Sequence, residues 1–312
     1  MFARIRTGFR WGALAAALAL LTATLLPLTP VAAEEKKNDK LAEPITKGLR
    51  MYTCGHSFHV WVPGIVADLC KKAGIEGHVQ VGLSSIGGSR TIQHWNVPDD
   101  KYKSKEALMS GKVDVLTLSP IFLPDEGIEN FTKLALEHNK DIRIVVQPIW
   151  LRNDIYEPTM KKPEKVDHNA MTGEDLRKRH AEHFSRMDAH VRELNKKYGN
   201  GKPFMFVAPA PQALIVLREK IIAGQAPGLK TQDDLFTDAT GHGKPPLMVL
   251  VAYCNYAVIY RRSPVGLPVP NILKGAKLGD QEEKLNRLLQ ELAWDAVLQH
   301  PLSGVRLDAT QP

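Results

Sequence analysis

Apolar positions in this chain repeat with two different periods, and the two alternate. Leu49 to Thr53 reads as a short extended run. It leads through Gly55, His56 and Ser57 into a helix expected from about Pro63 to Ala73, where Ile65, Val66, Leu69 and Cys70 share one face and Gly74 ends the turn. Val79 to Leu83 reads as a second strand, followed by Ser84-Ser85-Ile86-Gly87-Gly88-Ser89. A short helix near Ser104 to Ser110 precedes Val113 to Leu118, a continuous apolar strand of the kind covered on both faces. Ile128 to His138 has helical period, and Asp141 to Pro148 reads as strand plus turn.

Trp150 to Asn169 carries no period. A long helix follows, with a capping box at Thr172 and Asp175, apolar positions at Leu176, Phe184, Met187, Val191 and Leu194, and a stop at Gly199. Pro203 to Ala208 is a further strand and Gln212 to Ile222 a further helix. Leu247 to Ile259 is apolar throughout, as a buried helix would be. Glu282 to Leu298 is amphipathic and stops before Pro301. Strands alternating with helices predict an α/β fold, a three-layer α/β/α sandwich on a mostly parallel sheet.

The N-terminus has a different pattern. Arg4, Arg6 and Arg10 precede an apolar run from Trp11 to Leu26, and Val31-Ala32-Ala33 ends in small residues before Glu34. That order predicts a cleavable signal peptide over residues 1–33, with an uncleaved anchor as the alternative. A flexible charged lead-in is expected over 34–48, one domain over 49–300, and a loose tail over 301–312. The location expected is secreted or periplasmic, with no stable membrane insertion once the leader is removed.

The formal charge of +7 falls to +4 when the three leader arginines are discounted. Without a concentrated basic surface, this gives no reason to expect a nucleic-acid partner. Three cysteines, Cys54, Cys70 and Cys254, leave at least one unpaired within the chain, and no Cys-x-x-Cys pair is present. His180, His183 and His190 lie on the long helix. With no acidic pattern to complete a metal site, they read as a solvated face. Nothing in the sequence calls for a cofactor.

Three segments can carry chemistry. Ser57 follows a strand and precedes a helix, where its hydroxyl can stand at the carboxyl edge of a sheet. His242 sits between Gly241 and Gly243, four residues after Asp238. Such a histidine can serve a serine as general base, with Asp238, or else Asp234, orienting the ring. Gly87 or Gly88 can offer a backbone N–H to an oxyanion. Cys54 is an alternative nucleophile. No Gly-x-Ser-x-Gly elbow and no phosphate loop occurs at these places.

Gly55-His56-Ser57-Phe58, Ser85-Ile86-Gly87-Gly88-Ser89 and the Asp238/His242 loop, in this order, resemble the blocks of the SGNH hydrolase superfamily (GDSL-like lipases and esterases). They are most similar to its exported members from bacteria such as planctomycetes. The resemblance spans roughly Leu49 to Pro268 and implies a flavodoxin-like fold. It assigns Ser57 as nucleophile, Asp238 and His242 as its relay, and Gly87 or Gly88 as an oxyanion donor. Two departures stand out. Three residues separate Asp238 from His242 where the family has two. The family's Gly-x-Asn-Asp block reads Leu116-Thr117-Leu118-Ser119-Pro120 here, without the oxyanion asparagine. Thr117, Ser119 or Gln147 would then have to supply that donor.

The resemblance implies an exported serine esterase acting on a small-molecule or glycan ester, acetylated glycans among them. His56, His59, Trp61, His94 and Trp95, with Thr117 and Ser119, are the residues expected to line its cleft. The rival expectation is a non-catalytic module that binds carbohydrate or cell-envelope material.

Overall fold

Five strands, β1 (Arg50–Gly55), β2 (Val79–Ser85), β3 (Val115–Leu118), β4 (Arg143–Val146) and β5 (Met205–Val207), pair in the order β2-β1-β3-β4-β5, every neighbour parallel. The computed structural model describes residues 40–98, 100–159, 161 and 167–307. The expected signal peptide and residues 34–39 lie outside them.

The alternation of side chains across each strand builds two cores. Met51, Val115, Val145 and Phe206 face one layer, and Tyr52, Cys54, Leu116, Leu118, Ile144, Val146, Met205 and Val207 face the other. The first layer is made by α1 (Val62–Lys72), α6 (Ala210–Ile222), α7 (Pro245–Tyr260) and α9 (Glu282–Gln299), with the short α8 (Asn271–Lys274) against α7 and α9. The second is made by α3 (Ser104–Met109), α4 (Glu126–His138) and α5 (Gly173–Tyr198), with α2 (Thr91–Trp95) against α4. This is a mixed α/β fold with helices on both faces of a parallel sheet, the layout of a three-layer α/β/α sandwich.

Local chemistry accounts for the element ends. Thr172 caps α5, its hydroxyl accepting from the Asp175 N–H while the Asp175 carboxylate accepts from the Thr172 N–H. Helix α7 touches α1, α6, α9 and β4, so it is apolar on all sides and buried almost along its length. No helix among the described residues is long and apolar enough to cross a membrane.

Three expectations need correcting. Residues 40–48 are docked rather than flexible: Ala42 N–H donates to the Val305 carbonyl at 2.8 Å and Ile45 N–H to the Tyr260 carbonyl at 2.8 Å. The same pairing holds the described part of the expected loose tail, where Leu302, Ser303 and Val305 are buried. His180 and His183 are not solvated. They face inward from α5, and burial pushes both rings down to about 4. Their period matches that of Leu176, Met187 and Val191, so they belong to the helix's buried stripe.

Candidate active site

The strand order reverses between β1 and β3, and ligands of doubly wound sheets bind beyond the carboxyl ends of the strands at such a point. β1 ends at Gly55, and the chain turns through His56 and Ser57 into α1. The room there is limited: a Cβ on Gly55 would lie 2.8 Å from the His59 ring. The Ser57 carbonyl accepts from the Trp61 indole N–H at 2.9 Å, which ties the serine backbone to the start of α1.

Ser57 Oγ lies 2.9 Å from His242 Nε2, and His242 Nδ1 lies 2.7 Å from Asp238 Oδ2. The second acid considered, Asp234, accepts instead from the Lys230 and Thr231 N–H groups. The loop carrying Asp238 and His242 is closed on itself. Phe236 bridges Gly243, Thr237 N–H donates to the His242 carbonyl, and Asp238 Oδ1 accepts from the Gly241 and His242 N–H groups. Gly241 has φ +99°, a conformation open to glycine and strained for other residues. The three residues between Asp238 and His242 are therefore folded into a tight turn around the carboxylate. Burial raises the Asp238 carboxyl, but the hydrogen bonds from the His242 ring and backbone and from Gly241 outweigh it and hold it below its ordinary range.

From outside, the segment after β4 clamps this loop. Trp150 donates its indole N–H to the Gly241 carbonyl at 2.9 Å, and Asn153 Nδ2 donates to the Ala239 carbonyl at 2.7 Å. Phe58 stacks on Trp150 with centroids 4.5 Å apart and meets the His242 ring edge-on at 5.1 Å. The turn itself is strained, with Asn153 at φ 51° and Asp154 at φ 53°. A left-handed non-glycine residue costs roughly 1–2 kcal/mol, least for Asn and Asp. A buried ion cluster holds it. Arg218 donates two hydrogen bonds to the Asp154 carboxylate, at 2.6 and 2.9 Å, and His168 Nδ1 lies 2.8 Å from the same group. Leu151 N–H donates to His180 Nε2.

Beneath Ser57 lies a buried polar island between the sheet and α7. His59 Nδ1 is 2.8 Å from Gln147 Oε1 and its Nε2 is 3.1 Å from Thr117 Oγ1, which is 2.8 Å from Thr53 Oγ1. Gln147 also accepts from Asn255 Nδ2 and donates to the Phe58 carbonyl. His56 Nδ1 accepts from the Phe58 N–H, and its Nε2 is 3.3 Å from Ser119 Oγ, which donates to the Gln147 carbonyl. Burial, with the neighbouring His59 and His94, pushes His56 down to about 3, and burial takes His59 to about 4.

A cavity of about 370 Å³ opens over Ser57, lined by His56, Ser57, Phe58, Gly87, Gly88, Ile121, Ile149, Arg152, Thr240 and His242. Of the residues expected to line the cleft, only His56 does. His59, Thr117 and Ser119 are held in the island below. Thr117, Ser119 and Gln147 have partners there and do not line the cavity. Trp61 is half-buried over the Ser57 backbone. Trp95 packs edge-on against Phe131, with Lys105 over its ring. His94 is buried between Ser84 Oγ and Ser89 Oγ, 2.7 Å from each, and braces the Gly87-Gly88 loop. Burial pushes this ring down to about 4.

Cys54 points into the α3/α4 layer, where burial pushes its thiol far up, which makes it a poor nucleophile. All three cysteines are free and buried. No cluster among the described residues could hold a metal ion.

Sequence reasoning missed Trp150, Arg152, Asn153 and Thr240. The available signal was position: the first two turns of chain after a central parallel strand lie at the site edge, whatever their period.

Arranged this way, the serine, histidine and carboxylate can pass a proton from Oγ to the imidazole and keep the resulting imidazolium paired. No family model matches the chain, and no curated protein matches it. A solved structure titled "BT4096 a gut microbial diltiazem-metabolizing enzyme" aligns at 12% identity and a TM-score of 0.38, covering 69% of this chain and 47% of that one. This chain therefore spans about half the length of that structure, and the likeness is too remote to bear on function.

Proposed function

We propose that this chain is an exported serine hydrolase with a flavodoxin-like sheet of the SGNH type, cleaving a small carboxylic ester. The observation that carries the reading is the 2.9 Å approach of Ser57 Oγ to His242 Nε2 across 185 residues of sequence, with Asp238 behind the ring. Ser57 Oγ adds to the carbonyl carbon while its proton passes to His242. The tetrahedral intermediate collapses, and His242 gives the proton to the departing alkoxide. Water, deprotonated by His242, then adds to the acyl-serine and frees the acid and Ser57. The Ser57 N–H and a Gly87 or Gly88 N–H would hold the oxyanion. Export is inferred from the arginines, apolar run and small residues of 1–33.

Thr117, Ser119 and Gln147 are all engaged elsewhere, which leaves the second reading, a binding module on the same fold. An oxyanion hole short of one donor costs roughly 3–4 kcal/mol of barrier, so slow turnover fits the first reading as well.

Hydrolysis of 4-nitrophenyl acetate by the protein and by Ser57→Ala separates the two readings. Turnover falling about 10³-fold or more in the variant is expected. Equal rates in both would remove Ser57 as nucleophile, and binding of a carbohydrate ligand with no turnover in either would favour the binding module.

A further inference from the structure

Gly87 and Gly88 line the cavity over Ser57, yet their own contacts do little to hold them. A Cβ on either would meet nothing within 4 Å, and Gly88 lies at φ +61°. The tip of this loop therefore takes its position from its base. There His94, 2% exposed, spans from Ser84 Oγ to Ser89 Oγ, both buried. The protons of this chain run in one direction. The Ser89 hydroxyl donates to the Ile86 carbonyl at 2.9 Å, so its oxygen accepts from His94 Nε2–H. In the neutral ring that burial favours, Nδ1 is then a lone pair and accepts from the Ser84 hydroxyl. Ile86 N–H in turn donates to the Gly55 carbonyl at 3.2 Å, two residues before the nucleophile.

His94 is itself fixed from a second helix. It lies on α2, whose Thr91 and Ile92 N–H groups donate to the buried Asp125 carboxylate at 2.5 and 2.8 Å. Asp125 also caps α4, accepting from the Gly127 N–H, and Trp95 packs on Phe131 of that helix. A line of hydrogen bonds thus runs from the start of α4 through α2 to the loop whose glycines line the cavity. Side chains locked in this way, behind a reacting group rather than on it, are what precise placement requires.

We propose that His94 is a positioning residue that holds the Gly87-Gly88 loop in place for the oxyanion formed at Ser57. It lies behind the loop and acts through it. A donor displaced by about 1 Å costs on the order of 10²-fold in rate, while ground-state binding changes much less. This rests on Ser57 being the nucleophile of the preceding reading.

The test measures hydrolysis of 4-nitrophenyl acetate together with affinity for phenylboronic acid, which joins the serine oxygen to boron as a tetrahedral boronate and so imitates the oxyanion. In His94→Leu, kcat is expected to fall about 10²-fold and boronate affinity to fall in parallel, with KM moving less than about threefold. His94→Gln, whose amide offers one donor and one acceptor to the same two serines, recovers most of both. Ser89→Ala reproduces the loss, and joining it to His94→Leu adds little, because both break one chain. Should His94→Leu not fold, Ser89→Ala decides alone. Where the acetate is not cleaved, boronate affinity decides.

Unchanged kcat and boronate affinity in His94→Leu or Ser89→Ala, with turnover still dependent on Ser57, overturn the brace and leave the hydrolase reading standing. A raised KM with kcat kept also overturns it, by assigning His94 to the cavity wall. So do losses that multiply in the double variant. Equal hydrolysis by the native protein and Ser57→Ala, or neither hydrolysis nor a boronate adduct in the native protein, removes the hydrolase reading and this inference with it.

Discussion

The two halves of the proposed relay are held in opposite ways. Ser57 stands on a floor of buried, uncharged side chains: His56, His59, Gln147 and Asn255 are hydrogen-bonded beneath it and shielded from water. Asp238 and His242 hang at the surface, their side chains 47% and 37% exposed, on a loop tied mainly through its own backbone and the clamp from Trp150 and Asn153. A nucleophile needs a fixed position, which a satisfied buried network provides. A base must change charge during the reaction, which solvent exposure makes less costly. The difference predicts that damage to the floor is read as stability, and damage to the loop as rate.

Acid should give the largest effect, and it should strike the floor. The His59 and His94 rings have their ordinary value of 6.5 lowered to about 4, and His56 to about 3, in each case chiefly by burial. Between those values and 6.5 the unfolded chain binds more protons than the folded one. The rings' contribution is therefore fully present above about 6.5 and is lost as pH falls towards 4. The shift at His59 corresponds to on the order of 3 kcal/mol. Several such rings together rival the roughly 5–15 kcal/mol of a whole domain. Melting temperature measured from pH 7.5 to pH 4 is expected to drop steeply below about pH 6. A flat profile down to pH 4.5 would mean that the rings do not stay neutral in the fold.

The loop should show the converse. Asp238→Asn keeps the shape of the turn but removes the charge that pairs with His242 and favours the wrong ring tautomer. Turnover of an aryl ester is expected to fall about 10³-fold, while the melting temperature moves little because the carboxylate is half exposed. A large loss of stability with turnover intact would reverse the roles assigned to loop and floor.

Much of this difference was legible before the fold was known, but unevenly. Period and capping gave the strands and long helices, because side-chain alternation and end caps are local. The serine, glycine and Asp–His segments stood out as candidates because each sits at an element boundary with a residue type suited to the chemistry. The floor was not legible. His59, Thr117 and Ser119 look like cleft residues when only their place at strand ends is visible. Their inward orientation is decided by partners on β4 and α7, Gln147 and Asn255, far away in sequence. His180 and His183 lie among charged neighbours on α5 and read as solvent-facing for the same reason. The turn at Arg152 depends on Arg218, 64 residues beyond Asp154, and no local pattern announces it.

Gln147 isolates the floor best, because one side chain joins three segments. Its Oε1 accepts from the His59 ring and from Asn255, and its amide donates to the Phe58 carbonyl next to the nucleophile. Gln147→Leu fits the space approximately but leaves the His59 ring nitrogen and the Phe58 carbonyl without that partner in a dry layer, while Asn255 keeps its bond to the Val251 carbonyl. Each buried unpaired group costs about 1–3 kcal/mol, and local rearrangement recovers part of it, so a net loss of about 2–4 kcal/mol is expected in denaturant unfolding. Turnover by the molecules that remain folded should fall less than in Asp238→Asn, because the relay itself is untouched and only the backbone at Phe58 loosens. Should Gln147→Leu instead match the rate loss of Asp238→Asn at unchanged stability, the floor would be acting on the reacting groups directly. The separation between a structural floor and a chemical loop would then fail at its most connected residue.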